Sequence, residues 1–303
     1  MSGVTDSRPL RLGVIGMSEG NGHPYSWSAI FNGYDRLAMA SCPFPAIAEY
    51  LGRQSFPGDA LAGARVTHIW TQDRSVSEHV ARASLIPNVV DRLESLVDQV
   101  DAVLLARDDA ENHLRHAEVF LRTGLPIYID KPLSLTRRDA EGLFSRAQYP
   151  GQIFTCTALR YARELRMNAA RRARVGEVRL VDAVVPKGWN TYAIHVIEPV
   201  LASLPEADVV RHHYRTRENG VTQLSVTWAS GLQTRFTSTG TATAPIAISV
   251  YGTQGSVRLK FRDSFSAFKA ALARFIGGIG RKRSVIAEEA TLKVIDLIEL
   301  GRS

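Results

Sequence analysis

The chain has 303 residues, of which 45% are hydrophobic and 22% are charged, and its formal net charge is +7. These values predict about two domains and exclude disorder over most of the chain. Two cysteines, Cys42 and Cys156, are too few for a disulfide framework, which favours a reducing, cytoplasmic environment. No apolar run is long enough to span a membrane, and residues 1–9 lack the apolar core of a secretory signal, so we expect neither insertion nor export.

The first 150 residues alternate short apolar runs with amphipathic segments, which is the pattern of βαβ units. The predicted strands are 11–16, 66–71, 101–106 and 126–129. The predicted helices are 25–34, 75–83, 110–123 and 136–147, with a further amphipathic stretch at 90–97. We therefore predict an α/β fold over residues 1–150, with a Rossmann-like, doubly wound parallel sheet.

Beyond Pro150-Gly151 the predicted elements are mostly strands. They are 153–158, 179–185, 223–228, 234–238, 246–251 and 256–261. Turn signals at Glu218-Asn219-Gly220 and Ser230-Gly231 favour antiparallel hairpins. Apolar residues spaced from Ile286 to Ile298 predict a closing amphipathic helix. Residues 151–303 are therefore predicted to form an α+β domain on a mostly antiparallel open sheet.

A glycine-rich turn, GVIGMSEGNGHP over residues 13–24, joins the first predicted strand to the first predicted helix. Such a turn lets the backbone approach a dinucleotide pyrophosphate, which would make residues 1–150 a dinucleotide-binding domain. The spacing is irregular, and the alternative is a connection whose glycines serve only positive φ angles. The residues predicted to hold the dinucleotide here are Gly16, Ser18, Gly20, Asn21 and Gly22.

An acid that contacts the adenosine ribose is expected after the second strand of such a domain. Asp73, just beyond the strand predicted at 66–71, is the best candidate, although it could instead be a solvated strand-end acid. Arg74 beside it could receive the 2′-phosphate of NADP. The cofactor is therefore predicted to be NAD or NADP.

Two segments carry groups suited to proton transfer. Lys131 follows the strand predicted at 126–129, where ligands of open α/β sheets bind, and its ammonium can orient a hydroxyl. On a helix predicted over 189–198, Thr191, His195 and Glu198 share one face. Histidine suits proton transfer near neutrality, although a structural histidine is the alternative. No third ligand is suitably spaced, so no metal site is predicted.

The basic surplus is concentrated between Arg160 and Arg179, where seven arginines face only Glu164 and Glu177. Three interpretations stay open: a solvated helix face, a site for an anionic small molecule, and a nucleic-acid surface. Aromatic interleaving is limited to Tyr161, so we expect no nucleic-acid partner.

In this order the segments resemble the Gfo/Idh/MocA family of NAD(P)-dependent sugar oxidoreductases over nearly the whole chain. Residues 101–106 with Asn112-His113 resemble the family's strand and helix entry, although Arg107 and Asp108 replace the usual Thr-Pro. Residues 124–133 resemble its Glu-Lys-Pro signature, with Asp130 in place of Glu, and residues 248–255 resemble its Gly-Thr-x-Gly segment.

The resemblance implies hydride transfer between NAD or NADP and a sugar or sugar derivative, including a nucleotide-linked one, by a homodimer or homotetramer. Residues 151–303 would bind the substrate and mediate oligomerisation. The catalytic residues implied are Lys131, His195 and Tyr192. His113, Lys131 and Pro132 would join the cofactor site. The residues implied at the substrate are Lys131, Thr191, His195 and Arg160, with Thr191 standing where the family has Asp. A redox-neutral enzyme acting on sugars with bound nucleotide, and a non-catalytic sensor, are the alternatives.

Overall fold

The structure is a computed structural model that describes residues 8–302, and the chain divides into two compact units. The first unit takes in the chain through Asp130, Leu143–Phe154 and Leu272–Val285. The second unit takes in Lys131–Gly142, Thr155–Ala271 and the chain from Ile286 onward. The chain therefore passes from one unit to the other at several points, whereas we predicted one division after residue 150. The roles predicted for the two parts stay predictions.

The first unit contains a six-stranded sheet in which neighbouring strands are parallel. Its strands are β1 (Leu10–Gly16), β2 (Ala64–Thr71), β3 (Asn88–Val89), β4 (Ala102–Leu105), β5 (Ile127–Ile129) and β6 (Ile153–Phe154). Their order across the sheet is β3-β2-β1-β4-β5-β6. Every residue of β4 is buried, as expected of a central parallel strand covered on both faces. The predicted doubly wound parallel sheet is confirmed.

Helices of the first unit lie in the connections between the strands of this sheet. They are α1 (His23–Asn32), α2 (Arg36–Ala40), α3 (Pro45–Gly52), α4 (Arg74–Ala83) and α5 (His113–Thr123). Residues 24–31 of α1 are all buried, so this helix belongs to the core of the unit. The helix predicted over 110–123 begins instead with a 3₁₀ turn, Ala110–Asn112, and the stretch 90–97 contains only the 3₁₀ turn Leu93–Leu96.

The second unit contains another six-stranded sheet. Its strands are β7 (Val178–Val185), β8 (Val210–Glu218), β9 (Val221–Trp228), β10 (Gln233–Ser238), β11 (Ala247–Gly252) and β12 (Ser256–Lys260). Their order is β12-β11-β7-β10-β9-β8. Strands β7 and β10 run parallel, and the other neighbouring pairs run antiparallel. The predicted α+β fold with a mostly antiparallel sheet is confirmed.

Two strands differ from the prediction. Strand β8 was missed because its side chains are exposed on both faces, which removes the alternation of apolar and polar residues that marks a strand. The strand predicted over 153–158 for the second domain is wrong in extent and place. Only Ile153–Phe154 is a strand, and it pairs with β5 in the first sheet. Thr157 then caps a 3₁₀ turn, which ends the extended conformation.

The remaining α-helices of the described residues are α6 (Arg137–Phe144), α7 (Ala169–Val175), α8 (Trp189–Tyr192), α9 (Ile194–Ser203), α10 (Ser264–Gly278) and α11 (Glu288–Arg302). The helix predicted over 189–198 is two helices that meet at Ala193. Helix α10 was not predicted, whereas α11 confirms the predicted closing helix. Among residues 8–302, no helix combines the length and apolarity needed to cross a bilayer.

Candidate functional site

The turn between β1 and α1 presents backbone donors at the carboxyl end of the first sheet. Within residues 8–302, the N–H groups of Ser18, Glu19 and Gly20 have no acceptor. Gly20 has a φ of +74°, and nothing lies within 4 Å of a Cβ placed there. Successive N–H groups in such a turn form a concavity that binds anions. The donor set therefore fits the pyrophosphate of a dinucleotide.

The first turn of α1 does not provide open N–H donors. Asn21 Oδ1 accepts the N–H of His23 at 2.8 Å, and Pro24 has no N–H. The N–H of Tyr25 donates to the Gly22 carbonyl at 3.1 Å. An anion at this turn would therefore bind to the loop before the helix, unlike the usual arrangement in which it binds at the helix N-terminus.

Gly16 and Gly22 have packing roles. A Cβ at Gly16 would lie 2.4 Å from Cγ of Pro24. A Cβ at Gly22 would lie 2.6 Å from a ring carbon of Phe44, which belongs to the segment inserted between α1 and β2. Of the loop residues predicted to hold a dinucleotide, Gly16, Asn21 and Gly22 thus shape the turn, while Ser18 and Gly20 carry the open donors.

Asp130, which directly follows β5, holds the start of α1. The residue is 1% exposed, and its Oδ2 accepts a hydrogen bond from Asn21 Nδ2 at 2.8 Å. The same oxygen lies 2.6 Å from Nδ1 of His23, whose ring stacks on Trp27. A buried carboxylate is costly unless it is hydrogen-bonded or paired, so these contacts stabilise Asp130 and fix the turn. Sequence reasoning assigned no role to His23.

Arg107 joins the turn to the end of β4. Its guanidinium donates to the Met17 carbonyl at 3.2 Å and to Gln72 Oε1 at 2.9 Å, and it pairs with Asp109 at 2.6 Å. His113, predicted at the cofactor, is fully buried with Nε2 2.7 Å from the Arg107 carbonyl oxygen. His113 therefore contacts the main chain of Arg107 and is closed to solvent.

Asp73 and Arg74 differ in their hydrogen-bond and ion-pair partners. Asp73 caps α4 by accepting the N–H of Ser75 at 2.8 Å, and the hydrogen bonds from Ser75 lower the pKa of its exposed carboxyl. Arg74 pairs with Glu78 at 2.9 Å and also with Asp91. The carboxylate is thus charged at neutral pH, while the guanidinium already has two acidic partners.

Thr157 brings His195 and Glu198 together in the second unit. Its hydroxyl oxygen lies 2.6 Å from His195 Nδ1, and its N–H donates to Glu198 Oε2 at 2.7 Å. The other oxygen of the buried Glu198 lies 3.3 Å from Arg160. Burial raises the pKa of Glu198 to about 7, with Arg160 opposing the shift. His195 and Glu198 therefore face the same residue, although the helix divides at Ala193.

Tyr192 lies between His195 and a lysine that sequence reasoning missed. Lys187 Nζ donates to the Tyr192 hydroxyl at 2.7 Å, and the Tyr192 and His195 rings meet edge to face with centroids 5.1 Å apart. Lys187 lies between β7 and α8 and belongs to no recognisable sequence motif, so sequence alone could not identify it as a site residue. Lys131 is 4% exposed and precedes a buried proline, Pro132.

The arginines between 160 and 179 mostly bind the protein itself. Arg172 pairs with Glu206 at 2.8 Å, Arg179 pairs with Glu177 at 2.8 Å, and Arg171 donates to the Glu164 carbonyl at 3.1 Å. Arg160, predicted at the substrate, pairs with Glu198. These contacts favour a structural interpretation of the basic segment.

Comparison with known proteins identifies a family for the first half of the chain. The sequence model of a family described as an oxidoreductase family with an NAD-binding Rossmann fold matches residues 10–157. No curated protein matches the chain by sequence.

Solved structures match almost the whole chain in fold. A UDP-N-acetylglucosamine 3-dehydrogenase from Acidithiobacillus ferrooxidans is 15% identical with a TM-score of 0.69, covering 98% of this chain and 97% of that one. A myo-inositol 2-dehydrogenase from Lactobacillus plantarum is 11% identical with a TM-score of 0.69, covering 97% and 96%. A scyllo-inositol dehydrogenase from Lactobacillus casei, solved with NAD(H) and scyllo-inositol, is 12% identical with a TM-score of 0.70, covering 96% and 95%. At these identities the likeness confirms the fold.

Proposed function

Since this chain belongs, through residues 10–157, to the Gfo/Idh/MocA oxidoreductase family with its NAD-binding Rossmann fold, we propose that it transfers hydride between a nicotinamide dinucleotide and a sugar or sugar derivative. The observation that carries this proposal is the run of open N–H groups at Ser18, Glu19 and Gly20. The nicotinamide, when bound, accepts or donates the hydride, and the protein supplies binding, orientation and proton transfer.

The first unit binds the cofactor. The N–H groups of residues 18–20 hold the pyrophosphate, and the turn keeps its shape through Gly16, Asn21 and Gly22. Asp73 accepts hydrogen bonds from the ribose hydroxyls. Because Arg74 is already paired with two acids, a 2′-phosphate would have to compete with them, so the proposal favours NAD over NADP. His113, the first residue of α5, is buried and supports the cofactor site through its contact with the Arg107 carbonyl, and Pro132 keeps the cofactor role that the family resemblance implies.

Residues of the second unit bind the substrate and move the proton. In the tautomer that donates Nδ1–H to the Thr157 hydroxyl, Nε2 of His195 is the acceptor for a proton from the reacting hydroxyl. Thr157 therefore orients the imidazole. Lys131 orients that hydroxyl, and Tyr192, held by Lys187, is a second group through which the proton can pass.

The test measures thermal unfolding and turnover of the full chain. NAD⁺ should raise the Tm more than NADP⁺ does, because a ligand that binds only the native state stabilises it. His195→Asn should keep that shift while lowering NAD⁺ reduction on a panel of polyols and sugars by about 100-fold or more. The control His213→Asn, at an exposed residue of β8, should change neither.

Absence of stabilisation by NAD⁺, NADH, NADP⁺ and NADPH would exclude the proposal and favour a sensor. Stabilisation without net turnover on the panel would favour the redox-neutral enzyme. Homodimer or homotetramer formation, expected from the family, is a separate proposal that sedimentation of the wild-type chain tests.

A further inference from the structure

A cavity of about 370 Å³ lies within the second unit. Its polar lining comes from Asn190, Thr191 and Thr222 and from the guanidinium groups of Arg217 and Arg302. Pockets that bind small molecules in proteins have volumes of roughly 300–1,000 Å³. The cavity is therefore large enough for part of a small-molecule ligand.

Among residues 8–302, the charged side chains that line this cavity are all positive. No carboxylate is among the residues that line it. Within the described chain, Arg217 has no ion pair and no side-chain hydrogen bond, whereas Arg172 and Arg235 are each paired with an acid. Among the described residues, Arg302 donates only to a main-chain carbonyl, that of Leu135, at 2.8 Å. Both arginines are exposed, and two guanidinium groups without a described carboxylate partner at one pocket can together bind an anion.

One part of the cavity lining comes from the β8–β9 hairpin. Arg217 pairs with Thr222 in the β8–β9 ladder, next to a turn in which Asn219 and Gly220 both have positive φ. A Cβ at Gly240 would lie 2.5 Å from the Gly220 carbonyl oxygen, so the turn is packed closely. Arg217 is therefore presented from a fixed hairpin.

Another part of the lining comes from α8 and α11, which contact each other. Trp189 Nε1 donates to the Ile298 carbonyl at 2.9 Å. A Cβ at Gly301 would lie 2.1 Å from the Trp189 ring, so only glycine allows this contact. The helix that carries Asn190 and Thr191 is thus fixed against the helix that ends in Arg302.

We propose that this cavity binds a phosphoryl group of the substrate through Arg217 and Arg302, with Asn190 and Thr191 as neutral donors. The proposal of an anion site is based on the cavity and its arginines alone. The proposal that the anion belongs to the substrate rests on the proposed function. Thr191 occupies the position at which the resemblance places an acid. A carboxylate there would pair with the guanidinium groups and repel the anion, whereas a hydroxyl can donate to it.

The first experiment measures binding of inorganic phosphate to the full chain by calorimetry at constant ionic strength. Arg217→Gln should weaken phosphate binding by about tenfold or more, the range expected for one charge-assisted hydrogen bond. Arg211→Gln removes an exposed arginine from the same strand and should leave the affinity unchanged. Thr191→Asp should weaken binding at least as much as Arg217→Gln does.

Equal phosphate affinity in the wild type and in Arg217→Gln would overturn the proposal, as would a wild type that binds no phosphate. Competition experiments then distinguish a sugar phosphate from a nucleotide-linked sugar as the substrate. A sugar monophosphate should displace phosphate more strongly in the first case, and UDP should do so in the second. The NAD⁺ thermal shift, measured on the same variants, reports the proposed function separately. If NAD⁺ gives no thermal shift while Arg217→Gln selectively weakens phosphate binding, the proposed dehydrogenase function is refuted and the proposed anion site is supported.

Discussion

Nδ1 of His23 lies 2.6 Å from Oδ2 of Asp130, although the two residues are 107 positions apart. The contact joins the first residue of α1 to the residue that follows β5. Because Asp130 also accepts from Asn21, one buried carboxylate determines the position of the glycine turn.

Asp130→Asn should lower the free energy of unfolding by about 2–4 kcal/mol, because it removes the charge from two buried hydrogen bonds. Urea unfolding monitored by circular dichroism measures the change. Asp98→Asn, at an exposed residue, should stay within about 0.5 kcal/mol of the wild type. A loss in Asp130→Asn no larger than this would show that the pair is not stabilising.

Gly20→Ala should weaken NAD⁺ binding, because its Cβ would occupy space beside the open N–H groups. Gly231→Ala is the matched control, since Gly231 also has a positive φ, +88°, and open space around its Cβ position. Both substitutions should cost about 1–2 kcal/mol of stability from the left-handed backbone. Only Gly20→Ala should raise the Kd for NAD⁺, and equal effects of the two on that Kd would contradict the placement of the pyrophosphate.

Thr157→Val should release the His195 ring from its hydroxyl partner while retaining the Thr157 N–H bond to Glu198. We expect the turnover rate to fall by about 10- to 100-fold with little change in KM, because the imidazole loses its orientation. Nitrogen chemical shifts of His195 should show a changed tautomer ratio. Thr237→Val, on β10, should alter neither the rate nor the shifts, and an unchanged His195 spectrum in Thr157→Val would contradict the orienting role.

Glu198→Gln should change how stability depends on pH. Because burial raises the pKa of Glu198 from 4.5 to about 7, the unfolded chain loses this proton at lower pH than the folded chain does. Glu198 therefore makes stability fall as pH rises from about 4.5 to about 7.

The variant should lack that contribution, so its stability relative to the wild type should rise over this interval by at most about 3 kcal/mol. Urea unfolding at pH 5 and pH 8 measures the difference. Glu118→Gln, at an exposed residue of α5, should keep the wild-type pH dependence. Identical pH dependence in Glu198→Gln would contradict the raised pKa.

Much of the fold was predictable because most strands carry a local apolar signal. Strand β1 shows it as a continuous buried run over residues 12–16, and β9 shows it as alternation, with Leu224, Val226 and Trp228 buried. Strand β8 carries no such signal, because an edge strand that is exposed on both faces needs no apolar side. The place of Ile153–Phe154 was also beyond local patterns, since which sheet a short strand joins depends on the whole topology.

The candidate site likewise contains residues that could be predicted from local sequence and residues that could not. Gly20, Asp73 and His195 could be predicted as candidates because each stands in a recognisable position relative to a predicted strand or helix. The residues that hold them were not found, because hydrogen bonds such as Thr157 to His195, 38 positions apart, leave no mark in local sequence. Arg217 was missed for a related reason: among 37 basic residues, an unpaired guanidinium is visible only once its surroundings are known.

The full burial of β4 has a consequence for amide hydrogen exchange. Its N–H groups lie in a central strand, so we expect them to exchange with deuterium only when the first unit unfolds as a whole. The N–H groups of β8, at the edge of the second sheet, should exchange through local fraying many times faster. Deuterium uptake in these two strands therefore provides separate reporters of global opening and of local motion beside Arg217.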